Sequence, residues 1–233
     1  MIGIIGALDE EIALINKSIE NCQISEKAQF RFFSGKIGEK EVTAVKCGIG
    51  KVNAALCTQI LVDVFNCEKI IFGGVAGSLL PGLNQGDIVV SSHAVQFDVD
   101  LTAFGRRRGE TPGHDRLIEA DSKMVNAVSD AFDDMFSDKT EVPNFMVGTI
   151  VSGDKFVSDP KTIKWLQREF GAVCTEMEGG ALAYACQVND IPFVIIRVIS
   201  DSGGKEAVKE FELFLSKSSE LLCRLITFSI NQF

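Results

Sequence analysis

The chain is poor in the residue groupings that hold metals or build disulfide frameworks. Its 233 residues include only two histidines, His93 and His114, and its seven cysteines contain no Cys-x-x-Cys pair. Neither histidine has a partner at the spacing with which a helix turns two imidazoles toward one ion, so no zinc is expected. Cys22, Cys47, Cys57, Cys67, Cys174, Cys186 and Cys223 are odd in number and scattered. That pattern suits reduced thiols serving as small core residues, and it points to a cytoplasmic protein. No run of about 18 apolar residues exists to cross a bilayer. The opening MIGIIGALDEE has no basic stretch and reaches acids too early to read as a secretory signal. Positive charge is also scarce: the net charge is −9, and the one basic run, Arg106–Arg108, is too short to reverse it. An acidic surface repels a phosphate backbone, so neither nucleic acid nor membrane is an expected partner.

What remains is ordinary globular composition, 46% hydrophobic and 24% charged, in a chain long enough to bury a sizeable core. No linker, repeat or low-complexity stretch interrupts it, which predicts a single domain over 1–233. Apolar runs predict strands at 2–5, 69–72, 87–96, 146–151 and 193–199, and a hairpin of 30–36 with 41–47 turning at Gly38. Longer amphipathic stretches predict helices at 10–20, 52–65, 122–136, 160–170 (Pro160 in its first turn), 177–187 and 207–228. The alternation, with strands that are apolar throughout, predicts an α/β fold: one mixed, mainly parallel central sheet with helices on both faces. The least regular stretch, 98–121, has the length and the glycine and proline content of a functional or interface loop.

Several familiar motifs fail on spacing. Gly3-Ile-Ile-Gly6 follows a strand but lacks the G-x-G-x-x-G frame of dinucleotide sites. Gly48-Ile-Gly50-Lys51 looks like the end of a phosphate loop. Val45 stands where the first glycine belongs and Val52 where a hydroxyl is required. Ser152-Gly153-Asp154 has no G-x-S-x-G frame, which argues against a serine hydrolase.

Ligands of open α/β sheets bind beyond the carboxyl ends of the strands. Those ends here carry small residues and acids: Gly6–Glu11, Gly73–Ser78, Ser152–Val157, Thr175–Gly180 and Ser200–Gly204. Small residues let a ligand approach the backbone, and acids bind hydroxyls and move protons. Taken singly, each has a structural alternative. Asp9, Glu10 and Glu11 could complement a helix dipole, and Asp201 could cap a helix. Glu176 and Glu178 lie two apart and point different ways on a helix, so one of the two is structural. The residues alone support an α/β enzyme with an acidic, glycine-lined site.

The stretches IGIIGALDEE, SGKIG, CGIGKVNAA, GGVAGSL, GDIVVS, DVDLTAFG, VSGDKFV, TEMEG and PFVIIRVISD, in this order over nearly the full length, resemble the 5′-methylthioadenosine/S-adenosylhomocysteine nucleosidases of the nucleoside phosphorylase superfamily. The resemblance implies a nucleoside phosphorylase-like fold. It implies hydrolysis of the N-glycosidic bond of methylthioadenosine, S-adenosylhomocysteine and 5′-deoxyadenosine, with no cofactor and no metal. Glu11 matches the acid that activates water, and Asp201 the acid that protonates N7 of the leaving adenine. Glu178 matches the ligand of the ribose hydroxyls, with Met177 against the sugar. Phe156 matches the adenine platform, and the Val157 backbone the reader of its edge. Leu8, Ile49 and Phe211 match an apolar 5′-thio pocket. Val75, Arg197 and Ser200, in the same motifs, complete the expected substrate-binding set. Leu101, Phe104 and Pro112 match residues that close the pocket of a neighbouring subunit, which implies a homodimer.

Two departures stand out. Val75 replaces a hydroxyl residue common in the family, and 202–209 carries glycine and lysine where an acidic stretch is usual. Three other functions share much of the pattern. A nucleoside phosphorylase would need cations near the sugar, for which Arg197 and the loop arginines are the candidates. A 6-amino-6-deoxyfutalosine hydrolase would share the base and ribose contacts. A nucleoside-binding module without catalysis is disfavoured, because all three acids are present.

Overall fold

The computed structural model describes residues 1–201 and 207–233. Strands and helices follow in the order β1 (Ile2–Gly6), α1 (Asp9–Ser18), β2 (Glu20–Lys27), β3 (Phe30–Ile37), β4 (Lys40–Lys46), α2 (Lys51–Asp63), β5 (Lys69–Ser78), β6 (Ile88–Gln96) and β7 (Ile118–Glu119). They continue with α3 (Ser122–Phe136), β8 (Phe145–Ser152), α4 (Pro160–Phe170), β9 (Ala172–Glu176), α5 (Gly179–Val188), β10 (Phe193–Asp201) and α6 (Ala207–Ile230). Most of the departure noted over 202–209 lies outside the described residues.

The sheet is mixed. Strands β4, β1, β5 and β10 run parallel side by side, and so do β6, β8 and β9. Antiparallel pairings of β10 with β6 and of β5 with β9 join the two groups, so β5, β10, β6, β8 and β9 close on themselves. The antiparallel strands β3 and β2 extend the open side beyond β4. Alternate residues of the central strands point to opposite faces, and both faces are covered, which is why these strands read as unbroken apolar runs. Ile5, Phe72 and Ile195 pack under α2 and α5 against Cys57, Leu61, Leu182 and Cys186. Ile4, Ile71, Val194 and Ile196 face α1, α3 and α6 against Ile12, Ile15, Val128, Leu222 and Ile226. A smaller cluster sets Leu166 and Phe170 of α4 on Phe97 and Val151. Helices α3 and α4 begin on aspartates, Asp121 and Asp159, whose side chains accept the third helical N–H at 2.9 Å.

Three boundaries differ from the sequence reading, each for a physical reason. Strand β2 is absent from it because this edge strand is exposed at every residue and so shows no alternation of apolar side chains. Strand β9 has no counterpart in that reading, and the helix expected from 177 starts two residues later. The Glu176 carboxylate takes the N–H groups of Glu178 and Gly179, so the chain turns there and the helix begins at Gly179. Strand β5 does not stop at Phe72 but runs through the glycines to Ser78. These glycines clear space for neighbouring elements. A Cβ on Gly73 would stand 2.5 Å from Ile226 Cδ1 and 3.2 Å from Leu222 Cδ1, so α6 sits directly on the backbone of β5. The stretch 98–121 is irregular as expected, apart from a short 3₁₀ turn at Thr102–Phe104 and β7.

The contact of α6 with Gly73 makes Ile226 a keystone of this face. Ile226→Ala is expected to lower stability by about 2–5 kcal/mol, the usual cost of such a truncation in a core. In urea denaturation this would appear as a lower midpoint with an unchanged slope.

Candidate active site

A cavity of about 450 Å³ opens at the carboxyl ends of the central strands, where the topology places ligands in such sheets. Ala7 and Leu8 enter it after β1, Val75–Gly77 from the end of β5, and Lys155–Val157 after β8. Thr175–Glu178 enter from the end of β9, and Ser200 and Asp201 close β10. Ile49 from the loop before α2 and Val208, Phe211 and Glu212 from α6 complete it. The volume suits a nucleoside-sized ligand.

Glu11 lies in the first turn of α1 with its carboxylate turned back under the preceding loop. Its Oε2 accepts from the N–H of Ala7 (2.7 Å) and of Leu8 (2.9 Å), and its Oε1 from the N–H of Val75 (2.9 Å). The side chain is therefore fixed between β1 and β5. Burial pushes its carboxyl above the ordinary range, while Arg197 and the three N–H donors pull the other way. The net effect is a raised carboxyl, with burial outweighing the donors that both oxygens face.

Beneath Glu11 lies Arg197, only 1% exposed, in the middle of β10. Its Nη2 pairs with Glu176 Oε2, and its guanidinium lies 4.0 Å from the centre of the Phe72 ring. Glu176 Oε1 also accepts from the Ser152 hydroxyl, which in turn accepts from the N–H of Gly180 at 2.6 Å. Gly74 makes this crossing possible: a Cβ there would fall 2.6 Å from Arg197 Nη1 and 2.8 Å from Glu11 Oε1. Burial lowers the affinity of Arg197 for its proton, but Glu176, Glu11 and Glu178 outweigh it and hold the charge in place.

The alternative left open between the two glutamates of the TEMEG stretch is resolved by their contacts. Glu176 is the framework residue, committed to Arg197, Ser152 and the turn into α5. Glu178 lies over the cavity, where its Oε1 accepts from the N–H of Gly50 at 2.8 Å. Burial, followed by the charges of Glu176 and Glu11, raises its carboxyl to about 8, against the N–H of Gly50 and the charge of Arg197.

Asp201 ends β10, 1% exposed, and its Oδ2 accepts from the Ser200 hydroxyl at 2.9 Å. Gly77 of the neighbouring strand faces it, and a Cβ there would lie 3.0 Å from Asp201 Oδ1. Phe156 is half-exposed at the opening and meets Phe211 edge to face, with ring centres 6.3 Å apart.

Eleven of the residues expected from sequence thus border one cavity: Leu8, Glu11, Ile49, Val75, Phe156, Val157, Met177, Glu178, Ser200, Asp201 and Phe211. Arg197 does not; it stands behind the wall. Leu101, Phe104 and Pro112 lie outside it on the 98–121 loop, where Phe104 is 80% exposed and Pro112 borders a separate open hollow with His114 and Gln187. Sequence reasoning did not single out Lys155, Thr175, Val208 or Glu212, which also line the cavity, nor the N–H of Gly50 and the Ser152 hydroxyl. Backbone donors have no signature in side-chain types. Ser152, by contrast, was visible inside the VSGDKFV stretch.

The sequence model of the phosphorylase superfamily matches residues 1–231. The 5′-methylthioadenosine/S-adenosylhomocysteine nucleosidase of Anoxybacillus flavithermus is 37% identical over 99% of this chain and 98% of its own length. That of Bacillus subtilis is 36% identical over 97% of each. Among solved structures, the nucleosidase of Colwellia psychrerythraea in complex with adenine superposes with a TM-score of 0.93 at 34% identity, over 99% of this chain and 94% of that one. A futalosine hydrolase mutant of Helicobacter pylori superposes at 0.94 and 31%, over 100% and 99%. With similarity running from end to end in both sequence and fold, this chain belongs to the 5′-methylthioadenosine/S-adenosylhomocysteine nucleosidase family of the phosphorylase superfamily.

Proposed function

We propose that the protein is an N-ribosyl hydrolase that releases adenine from 5′-methylthioadenosine and S-adenosylhomocysteine, and from 5′-deoxyadenosine. The observation that carries the reading is a pair of buried acids fixed at neighbouring places along β5. Glu11 is bonded to Val75, and Asp201 lies against Gly77. Two strand positions span about 7 Å, room for an anomeric carbon between an attacking water and a departing base.

Adenine leaves poorly as an anion, so the base must take a proton as the bond breaks. In this reading Asp201 supplies that proton to N7, oriented by Ser200. Positive charge then builds on the ribose, as in O-glycoside cleavage. Glu11 takes a proton from the water that attacks the anomeric carbon. Glu178 receives the ribose hydroxyls with Met177 against the ring, and Phe156 and Val157 hold the adenine. Leu8, Ile49 and Phe211 receive the thioether. General acid–base catalysis of this kind contributes about 10²–10⁴-fold, and hydroxyl contacts that tighten toward the transition state add to it. The chemistry calls for no metal or organic cofactor. We read the chain as one domain that works as a cytoplasmic homodimer, with Leu101, Phe104 and Pro112 reaching a second copy.

Phosphorolysis fits less well. Arg197 is engaged by Glu176, and Arg106, Arg107 and Arg108 pair with Glu110, Glu169 and Asp100 away from the cavity. A 6-amino-6-deoxyfutalosine hydrolase remains the second reading, because the similarity to the futalosine hydrolase spans the whole chain. The two readings part at the opening, where exposed Lys155 and Glu212 line the cavity beyond Phe156 and Phe211. A cation and an anion together match the ammonium and carboxylate of a homocysteine tail better than a purely anionic substituent.

Incubated with methylthioadenosine in phosphate-free buffer, the protein is expected to release free adenine, measured chromatographically. No release, or release only with added phosphate and formation of a ribose 1-phosphate, rejects the hydrolase. Initial rates on methylthioadenosine, S-adenosylhomocysteine and aminodeoxyfutalosine rank the substrates. Asp201→Asn is expected to lower kcat by at least about 10²-fold with the urea midpoint close to that of the parent; undiminished turnover removes Asp201 from the mechanism.

The raised carboxyl of Glu178 gives a further expectation. The folded protein keeps a proton there that the unfolded chain gives up above its ordinary value of 4.5, and it keeps it until about 8. This contribution to stability is complete below 4.5, shrinks as pH rises and is gone above 8. Between pH 5 and pH 8 the urea midpoint of the ligand-free parent should therefore fall more than that of Glu178→Gln. Parallel pH curves would show that Glu178 is ionised throughout.

A further inference from the structure

Lys51 is a partly buried cation that the proposed reaction does not use. It ends the Gly48-Ile-Gly50-Lys51 stretch, whose likeness to a phosphate loop fails on spacing. Its partners are carboxylates of this chain. The Lys51 side chain is 16% exposed, with Nζ 2.6 Å from Asp98 Oδ1 and 4.0 Å from Asp154 Oδ2. The N–H of Lys51 donates to Asp154 Oδ1 at 2.9 Å, and the N–H of Asp154 donates to Asp98 Oδ2 at 3.0 Å. Each of the three residues bonds the other two, from the loop–helix junction that opens α2 and from the loops after β6 and β8, distant in sequence. The Lys51–Asp98 contact is the short, charge-assisted one, while Asp154 is half-exposed and ties in chiefly through backbone N–H groups.

Two of these loops build the cavity. One residue before Lys51, the N–H of Gly50 holds Glu178 Oε1, and Ile49 just before it lines the wall. Directly after Asp154, Lys155–Val157 form the opposite segment. Gly50 has φ +99°, and a Cβ on it would stand 3.2 Å from Asp154 Oδ1, so the turn that aims this N–H is pressed against the knot itself.

The geometry points to Lys51, Asp98 and Asp154 as positioning residues: one ion-paired knot aims the Gly50 N–H at Glu178 and sets the Phe156–Val157 wall at the same time. The sugar-binding acid and the base-binding wall then keep a fixed mutual distance. Small displacements of such groups cost large factors in rate or affinity. The kinetic arm of the test rests on the nucleosidase reading; the exchange arm does not.

The test uses the full chain as Lys51→Met, Lys51→Arg and Asp98→Asn. Lys51→Met is expected to lower kcat/KM for methylthioadenosine about tenfold. Lys51→Arg, which keeps a cation between the two aspartates, recovers most of the loss. In the ligand-free protein, hydrogen exchange of the Gly50 amide should quicken about tenfold in Lys51→Met, with the amides of β1 and β5 unchanged. Unaltered protection of Gly50 overturns the proposal whatever the kinetics. So does a loss of kcat/KM that comes with faster exchange across the whole sheet and that Lys51→Arg does not relieve. If Lys51→Met does not fold, Asp98→Asn removes the same bond from the other side and is judged by the same two measurements. If the parent releases no adenine, the nucleosidase reading falls and the Gly50 amide still decides the role of the knot.

Discussion

The cavity floor depends on one positive charge taken out of water. Arg197 is buried in the middle of β10, where moving an ion from water costs several kcal/mol before any partner is counted. Glu176 neutralises it, and the Ser152 hydroxyl with the N–H groups of Glu178 and Gly179 satisfies the remaining oxygen positions of Glu176. Phe72 gives the guanidinium a ring face, and Gly74 gives it space. A well-packed apolar replacement for such a pair is commonly no less stable, so stability is a poor explanation for it. Its distinct effect is local: Arg197 offsets the burial that pushes Glu11 up, and Glu176, bonded to it, starts the turn that carries Glu178 over the cavity.

The closed run of strands β5, β10, β6, β8 and β9 explains why so few residues suffice. Strands β5, β8, β9 and β10 end around one opening, so side chains separated by as many as 190 positions, from Glu11 to Asp201, are neighbours on a rigid frame. Strand β5 is the common rail. Its backbone N–H at Val75 holds one acid, and its glycines at 74 and 77 admit the side chains of Arg197 and Asp201. A residue with a side chain at either glycine would separate groups that the site brings together.

Much of the fold was legible because the sheet is covered on both faces. Apolar runs such as Phe193–Ile199 have no other economical use, and Asp121 and Asp159 mark their helix starts directly. What escaped was structure without apolar contrast: the polar edge strand β2, and the short β9, whose last residues Thr175 and Glu176 are polar yet buried. The site was legible as a rim of small residues and acids, but the separation of Glu176 from Glu178 was not. Two glutamates in the same five-residue stretch differ in their distant partners, Arg197 for Glu176 and the N–H of Gly50 for Glu178, and neither is near them in sequence.

Val75 shows the same separation of backbone from side chain. The contact that Val75 makes with Glu11 is through its backbone N–H, which every residue except proline supplies. The side chain is therefore free to vary without loosening the acid below it, and what changes is the surface offered to a ligand. Valine makes that surface drier. A drier wall beside a buried carboxylate strengthens the field of the few polar groups that remain, among them the carboxyls of Glu11 and Glu178. Glu178 in turn is held by the N–H of Gly50, so its placement is set partly by a loop that borders the cavity through Ile49.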